Sequence, residues 1–182
     1  EKPWSKNYKT EKPLKGIPKN SLEIASEVAA AKKQDGFTLT LDQPCYMAVM
    51  TYAESQALRK TFYLAYASRA SNKFPLKGNW DNTNNIAEIL SLRQTMANIL
   101  GYKNFAEYSL ATKMAKSTQQ VIDFLNNLKV KAIGKSKQEM AVLKKYAKKT
   151  LNIKIINPWD LAYVSEKYKK ENFGVSQEEL KQ

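Results

Sequence analysis

Apolar residues recur at helical spacing over most of the chain. Within residues 21–33, for example, Leu22, Ala25 and Val28 fall on one helix face, and Gly36 follows as a stop signal. Similar patterns recur further along and predict an all-α fold, a multi-helix array. The other predicted helices cover about residues 45–53, 55–66, 83–100, 104–115, 117–151 and 158–172.

Two segments depart from the helical pattern. Residues 1–20 are rich in Lys, Pro and Asn and have no apolar period, so we expect an extended lead-in there. Residues 37–41 (FTLTL) alternate apolar and polar side chains, which is typical of a short strand. We therefore expect at most one short strand, near 37–41, and a helical section over residues 21–182.

Local signals predict where the later helices begin and end. Gly134 is a candidate break in the longest one, because glycine inside a helix costs ~1 kcal/mol relative to alanine. Pro158 is expected at the first position of the last predicted helix. The capping box from Ser176 to Glu179 begins a helix only three residues before Gln182, which suggests a sequence cut short. In one predicted helix, six apolar residues and Arg93 recur at the helical spacing of a face that packs on a core: Ile86, Ile89, Leu90, Arg93, Met96, Ala97 and Leu100.

The absence of histidine limits the chemistry of this chain. Histidine is the usual general base near neutral pH and the commonest zinc ligand, so Ser-His-Asp and Cys-His systems and His-based zinc sites are excluded within these residues. The one cysteine, Cys45, cannot form an intramolecular disulfide, and this fits a reducing compartment. Its place near a predicted helix start could lower its thiol pKa, but no neighbouring base supports a catalytic role. We expect no catalytic residue and no metal ligand in this chain.

The net charge of +13 makes nucleic acid the first partner to consider. Only Arg59, Arg69 and Arg93 are arginines among the 30 basic residues, and arginine is the residue that reads bases and forks onto phosphate. The lysines are spread along the chain and fit solvated helix faces. We therefore expect no nucleic-acid partner, with a basic helical nucleic-acid-binding module as the alternative. No apolar run approaches the roughly 20 residues of a membrane span, so no membrane partner is expected.

Several strings along the chain resemble one known family. The segment LTLD at residues 39–42 is followed by Pro44 and Tyr46, and residues 100–115 read LGYKNFAEYSLATKMA. Near the end, PWD at residues 158–160 leads into AY and SEK. In this order, from about Trp4 to Leu180, these strings closely resemble the oligopeptidase A and thimet oligopeptidase family of zinc metallopeptidases. The chain departs from the family at Val164, where a second tyrosine is often found.

The resemblance implies a cytoplasmic, largely helical, two-lobed enzyme that hydrolyses short peptides in a channel. The family holds its zinc with an H-E-x-x-H helix and a later glutamate, and the glutamate of that motif activates the bound water. None of these residues has a counterpart here, because the chain aligns with the region before the motif. We therefore expect a non-catalytic helical section of one lobe, with the zinc bound beyond Gln182. A non-catalytic helical scaffold is a further alternative.

Three residues at the start of the last predicted helix are candidates for the substrate channel: Trp159, Asp160 and Tyr163. A simpler interpretation is that Trp159 packs and Asp160 favours the helix dipole. Structural pairing with carboxylates is likewise the simpler role for the three arginines. A lobe that lacks the rest of its polypeptide exposes apolar surface. We therefore also expect that this section can associate with itself.

Overall fold

The computed structural model describes residues 4–73 and 81–175 and confirms a mostly helical chain. In these residues two strands, β1 (Ser5–Tyr8) and β2 (Phe37–Thr40), accompany seven α-helices and a 3-10 helix at Lys12–Leu14. The helices are α1 (Lys19–Ala31), α2 (Gln43–Tyr52), α3 (Gln56–Ala67), α4 (Thr83–Ile99), α5 (Phe105–Leu110), α6 (Thr118–Thr150) and α7 (Leu161–Phe173). The capping box expected from Ser176 to Glu179 lies outside the described residues.

The chain divides into two compact units. The first contains residues 4–69, 73 and 142–175, and the second contains residues 70–72 and 81–141. The first unit therefore holds both strands, helices α1 to α3, the last residues of α6 and all of α7. The second holds α4, α5 and most of α6. In the described part of the chain, no helix is both long enough and apolar enough to span a bilayer.

The predicted strand near residues 37–41 has a partner that the sequence pattern did not indicate. β1 lies within the expected lead-in and pairs with β2 in antiparallel register, Ser5 opposite Thr40 and Tyr8 opposite Phe37. The pairing gives hydrogen-bond partners to backbone N–H and C=O groups that β2 alone would leave unpaired. Asn7 adds side-chain bonds, because its Nδ2 donates to the Asp35 carbonyl and to Thr38 Oγ1, each at 3.0 Å.

The core of the first unit forms where the sheet, α1, α2 and α3 meet. Leu14, Leu39, Val49 and Phe62 are fully buried there. Trp4 packs edge-on against Phe62 with ring centroids 5.0 Å apart, so the first described residue belongs to this core. A smaller cluster of Ala147, Tyr163 and Val164 joins the end of α6 to α7, with Leu143, Tyr146, Leu151, Ile153 and Ile156 packed around it.

Three expected helix boundaries were wrong. Gly134 does not divide α6, because a penalty of ~1 kcal/mol is small beside the helical hydrogen bonds on either side. α5 ends at Leu110 rather than near residue 115. The Ala111 N–H donates to the Tyr108 carbonyl, three residues earlier, at 3.2 Å, and this tightens the last turn. Pro158 precedes α7 instead of opening it, since the Asp160 N–H bonds the Asn157 carbonyl at 2.9 Å and closes a separate turn.

The second unit has almost no buried interior. Ala97 is the one residue classed as buried among its described residues, and the remaining apolar positions of the α4 stripe are exposed. Side-chain caps nevertheless form at two of its helix starts: the Asn104 side chain accepts the Glu107 N–H at 2.9 Å, and Ser117 Oγ accepts the Gln120 N–H at 3.1 Å. The expected helices therefore form, but the apolar side chains along them, such as Ile86 and Leu90, are exposed.

Candidate functional site

The three candidate channel residues lie together at the start of α7, beside α3 of the same unit. Asp160 occupies the cap position of α7, yet its side chain makes no capping bond to the first turn of the helix. The carboxylate contacts Arg59 of α3 instead, with Nη2 2.7 Å from Oδ1. The sequence had suggested a dipole role for Asp160, and the structure gives its carboxylate a tertiary contact.

The Asp160 carboxylate is fully buried and fully hydrogen-bonded. Its Oδ2 accepts from Gln56 Nε2 at 2.8 Å and from both the backbone N–H and the Nδ2 of Asn157 at 3.1 Å. Burial by itself would raise the pKa of Asp160, but the hydrogen bonds from Arg59, Gln56 and Asn157 outweigh it and leave the pKa below its ordinary value. The carboxylate is therefore ionised at neutral pH and has no lone pair directed toward solvent.

The Arg59 guanidinium is equally enclosed, with 1% of its side chain exposed. Nη1 donates to the carbonyls of Ala53 at 2.6 Å and Glu54 at 3.1 Å, and Nε donates to the Trp159 carbonyl at 3.2 Å. These bonds join the end of α2 to the turn before α7. Arg59 therefore satisfies backbone acceptors as well as a charge, which is how a buried arginine is usually tolerated.

Of the two aromatic candidates, Tyr163 packs directly on this ion pair and Trp159 lies beside α3. The Tyr163 ring lies with its centroid 4.1 Å from Arg59 Cζ, and burial raises the pKa of its phenol, with the positive charge of Arg59 opposing the rise. Trp159 is half-buried between Lys60, 5.2 Å from its ring centroid, and Tyr63, at 6.0 Å between centroids. Among the described residues, Trp159 Nε1 is buried without a hydrogen-bond partner.

These contacts give Asp160 and Tyr163 a structural part in the first unit. Both residues are buried in this chain, Asp160 completely and Tyr163 with 8% of its surface exposed. Their assignment to a substrate channel stays a prediction. Gln56 and Asn157 belong to the same cluster but were not anticipated, because neither stands in a distinctive motif.

The other two arginines do not follow the expected pairing with carboxylates. Arg69 lies 3.6 Å from the Tyr66 ring centroid and donates from Nε to the Tyr66 carbonyl at 3.2 Å. Arg93 lies over Phe105 at 4.9 Å. Neither pairs with a carboxylate within the residues that the structure describes. Aromatic faces take the place of acids at these two positions.

Cys45 lines a cavity of about 210 Å³ between α1, β2 and α2. The expectation of a lowered thiol pKa was wrong. Burial raises the pKa of Cys45 and the negative charge of Asp42 adds to the rise, while the hydrogen bond from the Thr40 N–H at 3.3 Å opposes it without prevailing. The cysteine is accordingly a weak nucleophile in the folded chain.

The residues present do not fit a zinc ion. Zinc in proteins is held by histidine, cysteine and carboxylate ligands, usually four of them in structural sites and three in catalytic ones. This sequence has no histidine and one cysteine. Over residues 4–73 and 81–175, no group of three or more potential ligands comes together. We assign no metal-dependent step to this chain.

Comparison with known proteins identifies the family. Residues 49–182 match peptidase family M3. The chain belongs to this family. It is 45% identical to oligopeptidase A of Salmonella typhimurium and 44% identical to oligopeptidase A of Escherichia coli, in each case over 98% of the chain and 26% of the relative. A protein of Arabidopsis thaliana named probable cytosolic oligopeptidase A is 33% identical over 99% of the chain.

Membership of family M3 confirms the resemblance that the sequence strings indicated. The match includes α3 and α7, which carry Arg59 and Asp160, and also α4 to α6 of the second unit. The chain spans about a quarter of the length of these oligopeptidases, 26% in the first two. The activity of a whole family M3 protein is therefore a separate question from the structure of this section.

Proposed function

We propose that this chain is the zinc-free helical section of a zinc metalloendopeptidase that hydrolyses short peptides in the cytoplasm. The observation that carries the proposal is the similarity to oligopeptidase A over 98% of the chain, combined with the lack of any histidine. A family M3 peptidase needs metal ligands that these residues cannot supply. In this proposal the ligands and the general base belong to another part of the parent protein.

The contribution of this section is a rigid scaffold for one lobe. Arg59 and Asp160 support this role, because their buried hydrogen bonds hold α2, α3 and the start of α7 together. In this proposal neither residue is a metal ligand or the general base. The channel candidates Trp159, Asp160 and Tyr163 belong to the same rigid region. Their part in the parent enzyme is to shape the wall, rather than to move a proton or bind the metal.

Purified as it stands, the chain is expected to bind no stoichiometric zinc and to leave a short fluorogenic peptide uncleaved. Metal analysis after extensive dialysis and a peptidase assay with and without added zinc measure these two properties. The matched control is the whole parent protein under the same conditions, which is expected to bind zinc and to cleave the peptide. One tightly bound zinc per 182-residue chain, or cleavage by that chain at an enzyme-like rate, would refute the proposal.

The reading frame beyond Gln182 separates this proposal from a helical scaffold without catalysis. An H-E-x-x-H sequence on a predicted helix downstream supports the peptidase, since the two histidines then lie one turn apart and can share a zinc ion. A stop codon directly after Gln182 supports the scaffold. Only the DNA sequence is needed to distinguish these two outcomes.

A further inference from the structure

The cavity between α1, β2 and α2 is large enough to hold a small ligand. Its volume of about 210 Å³ exceeds the roughly 150 Å³ of a protein cavity that admits benzene. Ala25 and Thr38 form its floor, with 3% and 1% of their surfaces exposed. Ile24, Asp42 and Pro44 also line it, and these three residues are exposed and mark its opening. A benzene-sized ring with a short side chain therefore fits inside.

The threonine hydroxyls on the cavity wall already have hydrogen-bond partners. Thr38 Oγ1 donates to Gln34 Oε1 and accepts from Asn7 Nδ2, each at 3.0 Å. Thr40 Oγ1 donates to the Asp42 carboxylate at 2.8 Å. The rest of the wall is mostly aliphatic. The interior therefore suits an apolar group that requires no hydrogen bond.

Charge distinguishes the surroundings of this cavity from the rest of the chain. Every lining residue that the structure describes belongs to residues 20–31 or 34–58. These two stretches contain five acids and no lysine or arginine, although the chain as a whole has 30 basic and 17 acidic residues. The cavity therefore lies in an acidic part of a basic chain, and such surroundings attract a cationic ligand.

The basic residues that border these two stretches contribute no side chain to the cavity wall. They are Lys19, Lys32, Lys33 and Arg59. Arg59 is already held in its buried ion pair, and Lys32 Nζ donates to Ser5 Oγ at 2.8 Å. Among the described residues that line the cavity, the one charged side chain is therefore that of Asp42.

We propose that this cavity binds a small organic ammonium ion, with the apolar part of the ligand inside and its ammonium group at the Asp42 carboxylate. Within the described part of the chain Asp42 has no ion-pair partner, so an ammonium group displaces none when it approaches. Burial of the apolar part supplies most of the affinity, and the charge supplies selectivity. This binding is separate from peptide hydrolysis and requires no zinc.

Three ring compounds of similar length test the charge requirement, in the whole polypeptide that contains this chain. Phenethylamine is the cation, 2-phenylethanol is its neutral counterpart and 3-phenylpropionate is the anion. Ligand-observed NMR titrations at about 0.15 M ionic strength measure their dissociation constants. We expect phenethylamine to bind about two- to fivefold more tightly than 2-phenylethanol, as for an exposed ion pair, and 3-phenylpropionate to bind most weakly. Non-specific attraction to a chain of net charge +13 would give the opposite order.

Two substitutions and a matched control assign the binding to this cavity. Asp42→Asn keeps the shape of the side chain and should lower the affinity for phenethylamine to that for 2-phenylethanol. The control, Asp35→Asn, removes an acid of the same stretch that does not line the cavity, and should leave both affinities unchanged. Val28→Phe places a ring inside the cavity and should abolish the binding of all three compounds. Circular dichroism checks that each variant folds, and Asp42→Asn, at an exposed position, decides the question if Val28→Phe does not fold.

The amide of phenylalanyl-glycine separates two sources of the ammonium group, because it attaches a similar ring and amine to a peptide. Its binding in competition with phenethylamine would make the N-terminus of a peptide a ligand of the cavity. Its exclusion would restrict the ligand to free amines, and both results agree with an ammonium site.

Four results would each overturn the proposal. They are no measurable binding of phenethylamine, tighter binding of 3-phenylpropionate than of phenethylamine, equal affinities for phenethylamine in Asp42→Asn and Asp35→Asn, and undiminished binding in a folded Val28→Phe variant.

Discussion

Arg59 and Asp160 lie 101 positions apart in the chain and form an ion pair, with Nη2 2.7 Å from Oδ1. Both side chains are buried. Every oxygen of the carboxylate and every nitrogen of the guanidinium has a partner within the first unit. The pair therefore fixes the position of α7 against α3. Substitution of either residue would remove this contact.

Asp160→Asn keeps the shape of the side chain and removes its charge, so Arg59 remains buried without a counter-ion. We expect the free energy of unfolding to fall by about 3–5 kcal/mol, as when one partner of a buried pair is removed. Urea unfolding followed by circular dichroism measures the change. The control is Glu54→Gln, which breaks the exposed pair with Lys15 at 3.0 Å and is expected to cost less than about 1 kcal/mol.

A double variant tests whether the loss comes from the pair itself. Arg59→Met together with Asp160→Asn removes both charges, so the combined cost should be smaller than the sum of the two single costs. Additive costs would contradict a direct interaction between the two side chains.

The lowered pKa of Asp160 predicts a stability that falls in acid. A carboxyl whose pKa is lower in the folded chain than its unfolded value of about 3.9 binds more protons when unfolded. Its stabilising contribution is then complete above that unfolded pKa and decreases as the pH falls through the folded pKa. Between neutral and strongly acidic pH, we expect the free energy of unfolding to fall less for Asp160→Asn than for the unaltered chain. Urea unfolding at each pH measures both profiles. Parallel pH profiles would contradict this assignment.

The helical class and most helices could be predicted from the sequence, because apolar spacing and caps such as Asn104 and Ser117 act locally. The strand β1 could not, because Ser5–Tyr8 has no apolar alternation and is held by its pairing with β2. The exposure of the α4 stripe could not be predicted either. Helical spacing marks a face that is suited to burial, but whether it is buried depends on a covering element.

The candidate site was anticipated in part. Arg59 and Asp160 were each singled out, but sequence spacing gave no means of joining two residues on different helices. Gln56 and Asn157 carry no local signal, since amides are common at helix starts and in turns. The pKa of Cys45 was predicted in the wrong direction, because proximity to a helix start was visible in the sequence and burial was not.

The thiol of Cys45 is expected to react slowly with iodoacetamide in the folded chain and faster after unfolding in urea. Its raised pKa leaves little thiolate at neutral pH, and the thiolate is the reactive form. Asp42→Asn removes a negative charge that contributes to this rise, so this variant should react faster than the unaltered folded chain. Glu54→Gln, whose charge does not contribute to the Cys45 pKa, serves as the control; equal rates for the two variants would count against the electrostatic cause.

Gly36 closes the turn before β2 and should tolerate no side chain. Its φ is +86°, and a Cβ there would overlap the Tyr8 carbonyl and lie 2.8 Å from Lys9 Cα. Gly174, in the same unit, has φ +63° and no atom within 4 Å of such a Cβ, which makes Gly174→Ala the matched control. We expect Gly174→Ala to cost roughly 1–2 kcal/mol for the left-handed backbone alone. Gly36→Ala should cost clearly more, because the added methyl also pushes β1 away from β2. Urea unfolding of both variants measures the difference, and equal costs would mean that the turn moves to admit the methyl group.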